Sequence, residues 1–422
     1  MSGFSGRSRR WRGAKIVGAA LFGGAVLLAA CSGPQVLLQQ ASSQVSAASV
    51  APAPMADVPT DAPGADLPSD ARAQTSGGTG TVPSGSLDAA SASAASGTPA
   101  SNTSGDGEFT IAFAGDVHFA ERTADRLAAD PSTAFGVAAA GLAAADLTVV
   151  NLETAITTGG EPEPKSFTFR APPSAFDALR DAGVDVASMA NNHGADYGAV
   201  GVQDSLAAIA GSGFPVIGFG KDAAAAYAPL HRSINGVDVA IVAASQVRDH
   251  TLENFSAGAT SPGIANAFDP TVIENVKAAV AGGSTVVVFL HWGTEYEGCP
   301  NSDQEQLADE LAAAGATAVI GTHAHVLQGA GWRPDGVYVA YGLGNYLWWR
   351  SFGNDQDDNG VLTLAFRAGN VVGATVVGAT FAPSHLDDTG VPVPATGAVA
   401  DRITAQWEQA RRCADLAAAP PG

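Results

Sequence analysis

From Glu108 onward the chain alternates short apolar runs with longer Ala-rich stretches. The runs at 109–115, 146–151, 184–189, 237–244, 285–290, 317–321 and 337–341 have the length and character of strands. The stretches at 120–129, 134–145, 174–182, 199–211, 270–281 and 303–314 predict helices. Strands alternating with helices indicate an α/β architecture. Two later runs, 361–366 and 371–380, predict a hairpin turning around Ala368-Gly369-Asn370. A surface helix is expected over about 398–412, followed by a loose tail.

The pattern is different before Glu108. Residues 32–107 are dominated by Ala, Ser, Pro, Gly, Thr and Asp and are almost devoid of aromatic side chains. Such a segment buries too little surface to offset the entropy of ordering it, and a disordered tether is expected. Ahead of it, a basic stretch from Arg7 to Lys15 precedes an apolar run from Ile16 to Ala30. That run falls short of the about 20 residues a membrane-spanning helix needs, so it reads as a secretory signal. It ends in Leu28-Ala29-Ala30-Cys31, similar to the lipobox of bacterial lipoproteins, where cleavage precedes a lipidated Cys. The expected organisation is a signal over 1–30, a tether over 31–107, a globular domain over 108–385 and a C-terminal extension over 386–422. The protein is expected outside the cytoplasm, anchored to the cell membrane through Cys31.

Charge narrows the partners. The chain carries 21 basic and 41 acidic residues, a net of −20. Five of the basic residues precede residue 31 and no acid does, leaving a net of −25 for the remainder. Such a surface repels nucleic acid, so no nucleic-acid partner is expected. Besides Cys31 only Cys299 and Cys413 remain, an even number that permits one disulfide in an oxidising compartment. Sequence alone does not bring their Cα atoms within bonding distance.

Five of the eight His residues lie directly after strand candidates, where α/β folds bind ligands. Gly115-Asp116-Val117-His118 follows the first strand, and Asn151-Leu152-Glu153 the second. Asn191-Asn192-His193 follows the third, with Asp196 and Gly198 behind it. His291-Trp292-Gly293 and Gly321-Thr322-His323-Ala324-His325 follow two later strands. Carboxylates, imidazoles and an amide oxygen without thiolate suit Zn, Mn or Fe. Each motif alone is weak, but the order Asp-x-His, acid, Asn-His, His, His-x-His is specific.

That order resembles the calcineurin-like metallophosphoesterases and, more narrowly, the capsule synthesis protein CapA family linked to poly-γ-glutamate production. The residues that carry the resemblance are GDVH at 115–118, NLE at 151–153, ANNHGADYG at 190–198, HWGTEY at 291–296, GTHAHVLQ at 321–328 and YGLGNYLW at 341–348. The resemblance implies a four-layer αββα sandwich and two divalent metal ions. Asp116, His118 and His325 would hold one ion, and Asn192, His291 and His323 the other, with Glu153 bridging where the wider superfamily uses Asp. His193 would be the non-ligand His that assists the leaving group, oriented by Asp196. Arg170 is a candidate anion clamp, and Asn345 a candidate loop residue near the site. The aromatic residues Trp292, Tyr296, Trp332, Tyr346, Trp348 and Trp349 make either a platform for a polymer chain or ordinary packing.

Two functions follow from the resemblance. One is a metal-dependent hydrolase, cutting a phosphoester or an amide-linked polymer of the cell envelope or its precursor. The other is an accessory protein that binds nascent polymer, and joins a capsule-synthesis membrane complex, without turnover. The anchor is tested separately. Cys31→Ser should release the protein from membranes or block signal processing, as read by cell fractionation. A processed variant that stays in the membrane fraction would sink the lipid anchor.

Overall fold

The computed structural model describes residues 107–353, 355–369 and 373–422. The expected signal, Cys31 and the tether up to residue 106 lie outside the described residues, as does Asn370 in the expected hairpin turn. Among the described residues, no helix is long and apolar enough to cross a membrane.

Two mixed sheets carry the fold. The first runs in the order Pro392–Pro394, Ala374–Leu386, Asp358–Ala368, Glu108–Val117, Leu147–Leu152, Val186–Ser188, Val216–Ile217. Its last four strands are parallel. A short strand, Asn345–Leu347, pairs with the end of Glu108–Val117 and sets Asn345 beside Asp116. The second sheet runs Ala330–Trp332, Tyr338–Ala340, Ala318–Thr322, Thr285–His291, Val237–Ser245, Leu230–Ile234. Its central four strands are parallel.

The buried side chains fall into three clusters, one for each boundary between four layers. Phe113, Val149 and Val186 of the first sheet meet Ile241, Phe289 and Ile320 of the second in the middle cluster. Ala112, Val150 and Ala187 point the other way, toward Leu127, Phe176, Leu179 and Val202 of the flanking helices. Val242, Val286 and Val319 likewise face Val276, Leu307 and Leu311. Strands whose successive side chains alternate between two apolar layers must be apolar on both faces, which is why they read as continuous runs. This is the four-layer αββα sandwich expected.

Helices form where local chemistry closes both ends. Ser302–Ala314 starts at Asn301, whose side chain accepts from the Gln304 backbone while Gln304 reaches back. This capping box satisfies two N–H groups that the helix leaves free. Leu307, Ala308, Leu311 and Ala314 then fall on one buried face.

The sequence and structure part in several places. The helix expected over 134–145 is broken into a 3-10 turn at Gly136–Ala138 and a short helix at Ala139–Leu142. Gly136 takes φ 51°, which a continuous helix does not allow. Helix His250–Phe255 was not expected. The residues after 385, read as an extension, complete the fold. Pro392–Pro394 adds an edge strand, and helix Gly397–Cys413 drives Ile403 and Trp407 into the core between the sheets. Trp407 stacks on Phe381 with ring centroids 4.1 Å apart.

Cys299 and Cys413 are joined as a disulfide, with Cα atoms 5.9 Å apart and a sequence separation of 114. The bond ties the last helix to the loop that follows strand Thr285–His291. Cross-linking so long a loop restricts the unfolded chain, for an entropic stabilisation of about 4–5 kcal/mol. Cys299→Ser should therefore lower the unfolding free energy measured in denaturant by up to that amount. A non-reduced wild type indistinguishable from the variant would show that the bond contributes nothing.

Candidate metal centre

The parallel strands of both sheets end at one edge of the sandwich. Asp116, His118, Glu153, Asn192, His193, His291, His323 and His325 all lie there and are buried. Two glycines let the backbone close around them. A Cβ on Gly115 would collide with the Gly344 carbonyl oxygen, and one on Gly321 with the Trp292 indole and the Tyr341 carbonyl. Beyond Gly321 the chain turns sharply, with His323 at φ 90° and His325 at φ 56°. Such conformations cost a non-glycine residue about 1–3 kcal/mol each and persist where surrounding structure imposes them. Here they bring two imidazoles from one short loop to the same centre.

A second layer of polar side chains fixes how each imidazole presents itself. The Thr322 hydroxyl donates to the Leu290 carbonyl at 3.1 Å and its oxygen lies 3.0 Å from His291 Nδ1, which also has the Asn151 amide nitrogen at 3.2 Å. His291 Nε2 in turn lies 2.8 Å from Asn192 Oδ1 and 3.5 Å from Glu153 Oε1. Likewise His325 Nδ1–H donates to Asn345 Oδ1 at 2.9 Å and lies 3.2 Å from Asp116 Oδ2. His193 Nδ1–H donates to Asp196 Oδ2 at 2.6 Å, and its Nε2 is 3.9 Å from Glu153 Oε1. Asn151 donates to Asp116 Oδ1 at 2.8 Å and is itself held by Asn191 at 2.9 Å.

Burial pushes the His118, His291 and His323 imidazoles down, His291 to about 3, so these rings are neutral. Burial also lowers His193, against the pull of Asp196. Burial, followed by the charge of Asp116, pushes Glu153 well up. Asp116 goes the other way: burial would raise it, but its hydrogen bond with His325 and the neighbouring imidazoles outweigh that.

The donor set fits divalent cations. Glu153 Oε1 and His323 Nδ1 are buried without any partner. Asp116, Glu153 and His291 offer ligand atoms within 4.8 Å of one another, and so do Glu153, His323 and His325. Glu153 belongs to both groups, as a bridging ligand must. His118 belongs to neither. Its Nε2 accepts the Trp349 backbone N–H at 3.2 Å, and its ring stacks on Trp348 at 4.1 Å. The two groups pair Asp116 with His291 and His323 with His325, while His325 Nδ1 also lies 3.2 Å from Asp116 Oδ2 and the His291 and His323 rings lie 4.6 Å apart, the pairing that the resemblance implied.

The remaining candidates separate cleanly. Tyr296, Trp348 and Trp349 line an aromatic cleft over His193 and His325. Trp292, Trp332 and Tyr346 are instead buried, one in each of the three cores. Asn345 sits fully buried behind His325 rather than facing the cleft. Arg170 is exposed and stacks over the Tyr197 ring at 4.6 Å, outside the cleft lining. His231, His250 and His385, which matched no ligand motif, pair with Asp238, Glu163 and Asp358.

Lys165 is a site residue that sequence reading missed. Its ammonium, largely buried, donates to Asp196 Oδ1 at 2.7 Å, to the Asn192 carbonyl and to Thr251 Oγ1 at 3.3 Å. It thereby holds both the partner of His193 and the backbone of a candidate ligand. The only hint was a lone Lys in a Pro-rich loop just before FTFRAP.

The four layers and the donor cluster at the strand ends are those that the resemblance to the calcineurin-like metallophosphoesterases implied. Residues 110–348 match the family described as bacterial capsule synthesis protein PGA_cap, and the chain belongs to that family. It is 28% identical over 265 residues to the PGA biosynthesis protein CapA of Bacillus subtilis, covering 60% of this chain and 67% of that one. It is 29% identical over 201 residues to the capsule biosynthesis protein CapA of Bacillus anthracis, covering 46% of this chain and about half, 47%, of that one. A solved phosphatase from Mycoplasma pneumoniae aligns with TM-score 0.42 and 15% identity, over 67% of this chain and 95% of that one.

Lys165→Met should leave Asp196 buried without its cation. Removing one partner of a buried ion pair costs on the order of 3–5 kcal/mol. Denaturant unfolding of the variant reads this directly, and a loss well under 1 kcal/mol would show that Asp196 does not depend on Lys165.

Proposed function

We propose that the protein is a metal-dependent hydrolase outside the cytoplasmic membrane, acting in the synthesis or processing of a cell-envelope polymer such as poly-γ-glutamate. The observation that carries this is the cluster of buried ligand-type side chains at the strand ends. His291 Nε2 lies 2.8 Å from Asn192 Oδ1 and 3.5 Å from Glu153 Oε1, and Glu153 joins two groups of carboxylates and imidazoles whose ligand atoms lie within 4.8 Å of one another. Asp116, Glu153, Asn192 and His291 would hold one divalent ion, and Glu153, His323 and His325 a second. When bound, such a pair supplies Lewis acidity and an activated water at neutral pH.

The chain's own groups do the rest. His193 Nε2 points toward Glu153 without being tied to another side chain, and is free to carry a proton to a leaving group. Asp196 fixes the His193 tautomer, and Lys165 fixes Asp196. Phe169 packs on His193 with centroids 4.6 Å apart and keeps water from that side of the ring. Export is supported by the signal-like N-terminus with Cys31 and by the Cys299–Cys413 disulfide, a bond of oxidising compartments. Anchoring through Cys31 would set the domain beside a capsule-synthesis membrane complex.

A non-catalytic role, holding polymer during assembly or export, is the second reading. What favours it is His118, whose Nε2 is already engaged by the Trp349 N–H, leaving only Nδ1 to reach an ion.

Metal analysis of the purified protein should find two equivalents of Mn, Zn or Fe. His291→Ala and His323→Ala should each lose metal. His193→Ala should keep both ions and lose turnover by about 10²-fold or more, since it moves a proton and binds no metal. Turnover is read on p-nitrophenyl phosphate esters and on γ-glutamyl oligomers. A metal-free wild type would refute the hydrolase; a metal-loaded one inert on every substrate would select the second reading.

A further inference from the structure

The cleft over the site is walled by aromatic rings and holds a single basic side chain among the described residues, Arg350. Its guanidinium lies 4.5 Å from the Trp349 ring centroid, 4.4 Å from Phe352 and 5.7 Å from Phe167. Rings on several sides fix the plane of the fork, so little freedom is lost when it grips a ligand. Its Nε is buried without a hydrogen-bond partner, and no ion pair to Arg350 forms among the described residues. Glu295 also lines the cleft and does not pair with it. In a chain of net charge −20, a cation left without a carboxylate is conspicuous.

The loop that carries Arg350 is also held in place. The buried Asp357 carboxylate accepts from Ser351 Oγ at 2.6 Å, from the Phe352 backbone N–H at 2.9 Å and from that of Gly353 at 2.6 Å. Arg350 is therefore presented to the cleft beside His193 and His325 before any ligand arrives. A planar fork of donors set among aromatic rings, its Nε without a partner, matches an oxyanion with two oxygens to share.

We infer that Arg350 is the specificity residue of this site, gripping an oxyanion of the substrate next to the bond to be cut. The oxyanion is either the free carboxylate of an acidic polymer unit or a phosphoryl group. This rests on the hydrolase reading for the identity of the site, but binding is separable from turnover. Trp348 and Trp349 line the cleft, so their fluorescence reports occupancy directly.

The test titrates the metal-loaded full chain with three probes: an oligo-γ-glutamate, the same oligomer with its α-carboxylates amidated, and inorganic phosphate. Wild type should bind the acidic oligomer at least tenfold more tightly than the amidated one. Arg350→Gln should abolish that preference. Arg350→Lys, which keeps the charge and the stem against the rings but not the fork, should retain only part of it. If phosphate binding alone falls in Arg350→Gln, the oxyanion is phosphoryl and the assignment of Arg350 stands. Unchanged affinity for both anions in Arg350→Gln, or a wild type that prefers neither anion over the amidated oligomer, would overturn the inference. Absence of hydrolysis alongside an Arg350-dependent preference counts against the hydrolase alone.

Discussion

Buried polar side chains crowd one spot where the two sheets end, and part of their hydrogen-bonding capacity is left over. His291 Nε2 meets Asn192 Oδ1 and Glu153 Oε1 there, while Glu153 Oε1, His118 Nδ1 and His323 Nδ1 have no hydrogen-bond partner. A buried polar group without a partner costs about 1–3 kcal/mol, and several facing one another cost more. A divalent cation would remove that cost, let Glu153 ionise and use the lone pairs of imidazoles that burial has already kept neutral. The positive-φ turn at His323 and His325 is strain accepted at the same place. Occupancy and local stability are therefore one quantity at this edge of the sandwich.

The polar groups behind the centre share one logic. His291, His325 and His193 each have Nδ1 beside a polar partner, Thr322, Asn345 and Asp196, and His291 and His193 turn Nε2 toward Glu153. Fixing the far nitrogen sets both the tautomer and the angle of the ring, which is how outer contacts tune a metal site. His118 shows the opposite pattern, with Nε2 committed to the Trp349 N–H and Nδ1 left without a partner. The loop of Trp348, Trp349 and Arg350 thus touches the centre through His118 on one side and forms the cleft wall on the other.

Much of the fold was readable because burial writes itself into local composition. A strand between two apolar layers has to be apolar throughout, and Phe109 to Ala114 or Val286 to Leu290 could be little else. The helix Ser302–Ala314 announces both its cap and its buried face. What stayed hidden depended on distant partners. Asn345–Leu347 is a strand only because it lies against the end of Glu108–Val117. The C-terminal helix belongs to the middle core because Trp407 meets Phe381, a contact between residues on different elements.

By itself the sequence determined the alternation of strands and helices, the strand-end placement of Asp116, Glu153, Asn192, His193, His291, His323 and His325, and the family that these motifs mark. Those features are local: a glycine before a ligand, an acid after a strand, two His one residue apart. The tertiary structure decided which of these donors meet, and that His118 Nε2 is engaged by the Trp349 N–H. It also decided that Lys165 supports the His193–Asp196 pair, and that the cation over the cleft is Arg350 rather than Arg170. Such matters turn on distances of a few ångströms between side chains far apart along the chain, set by how two sheets and their loops pack.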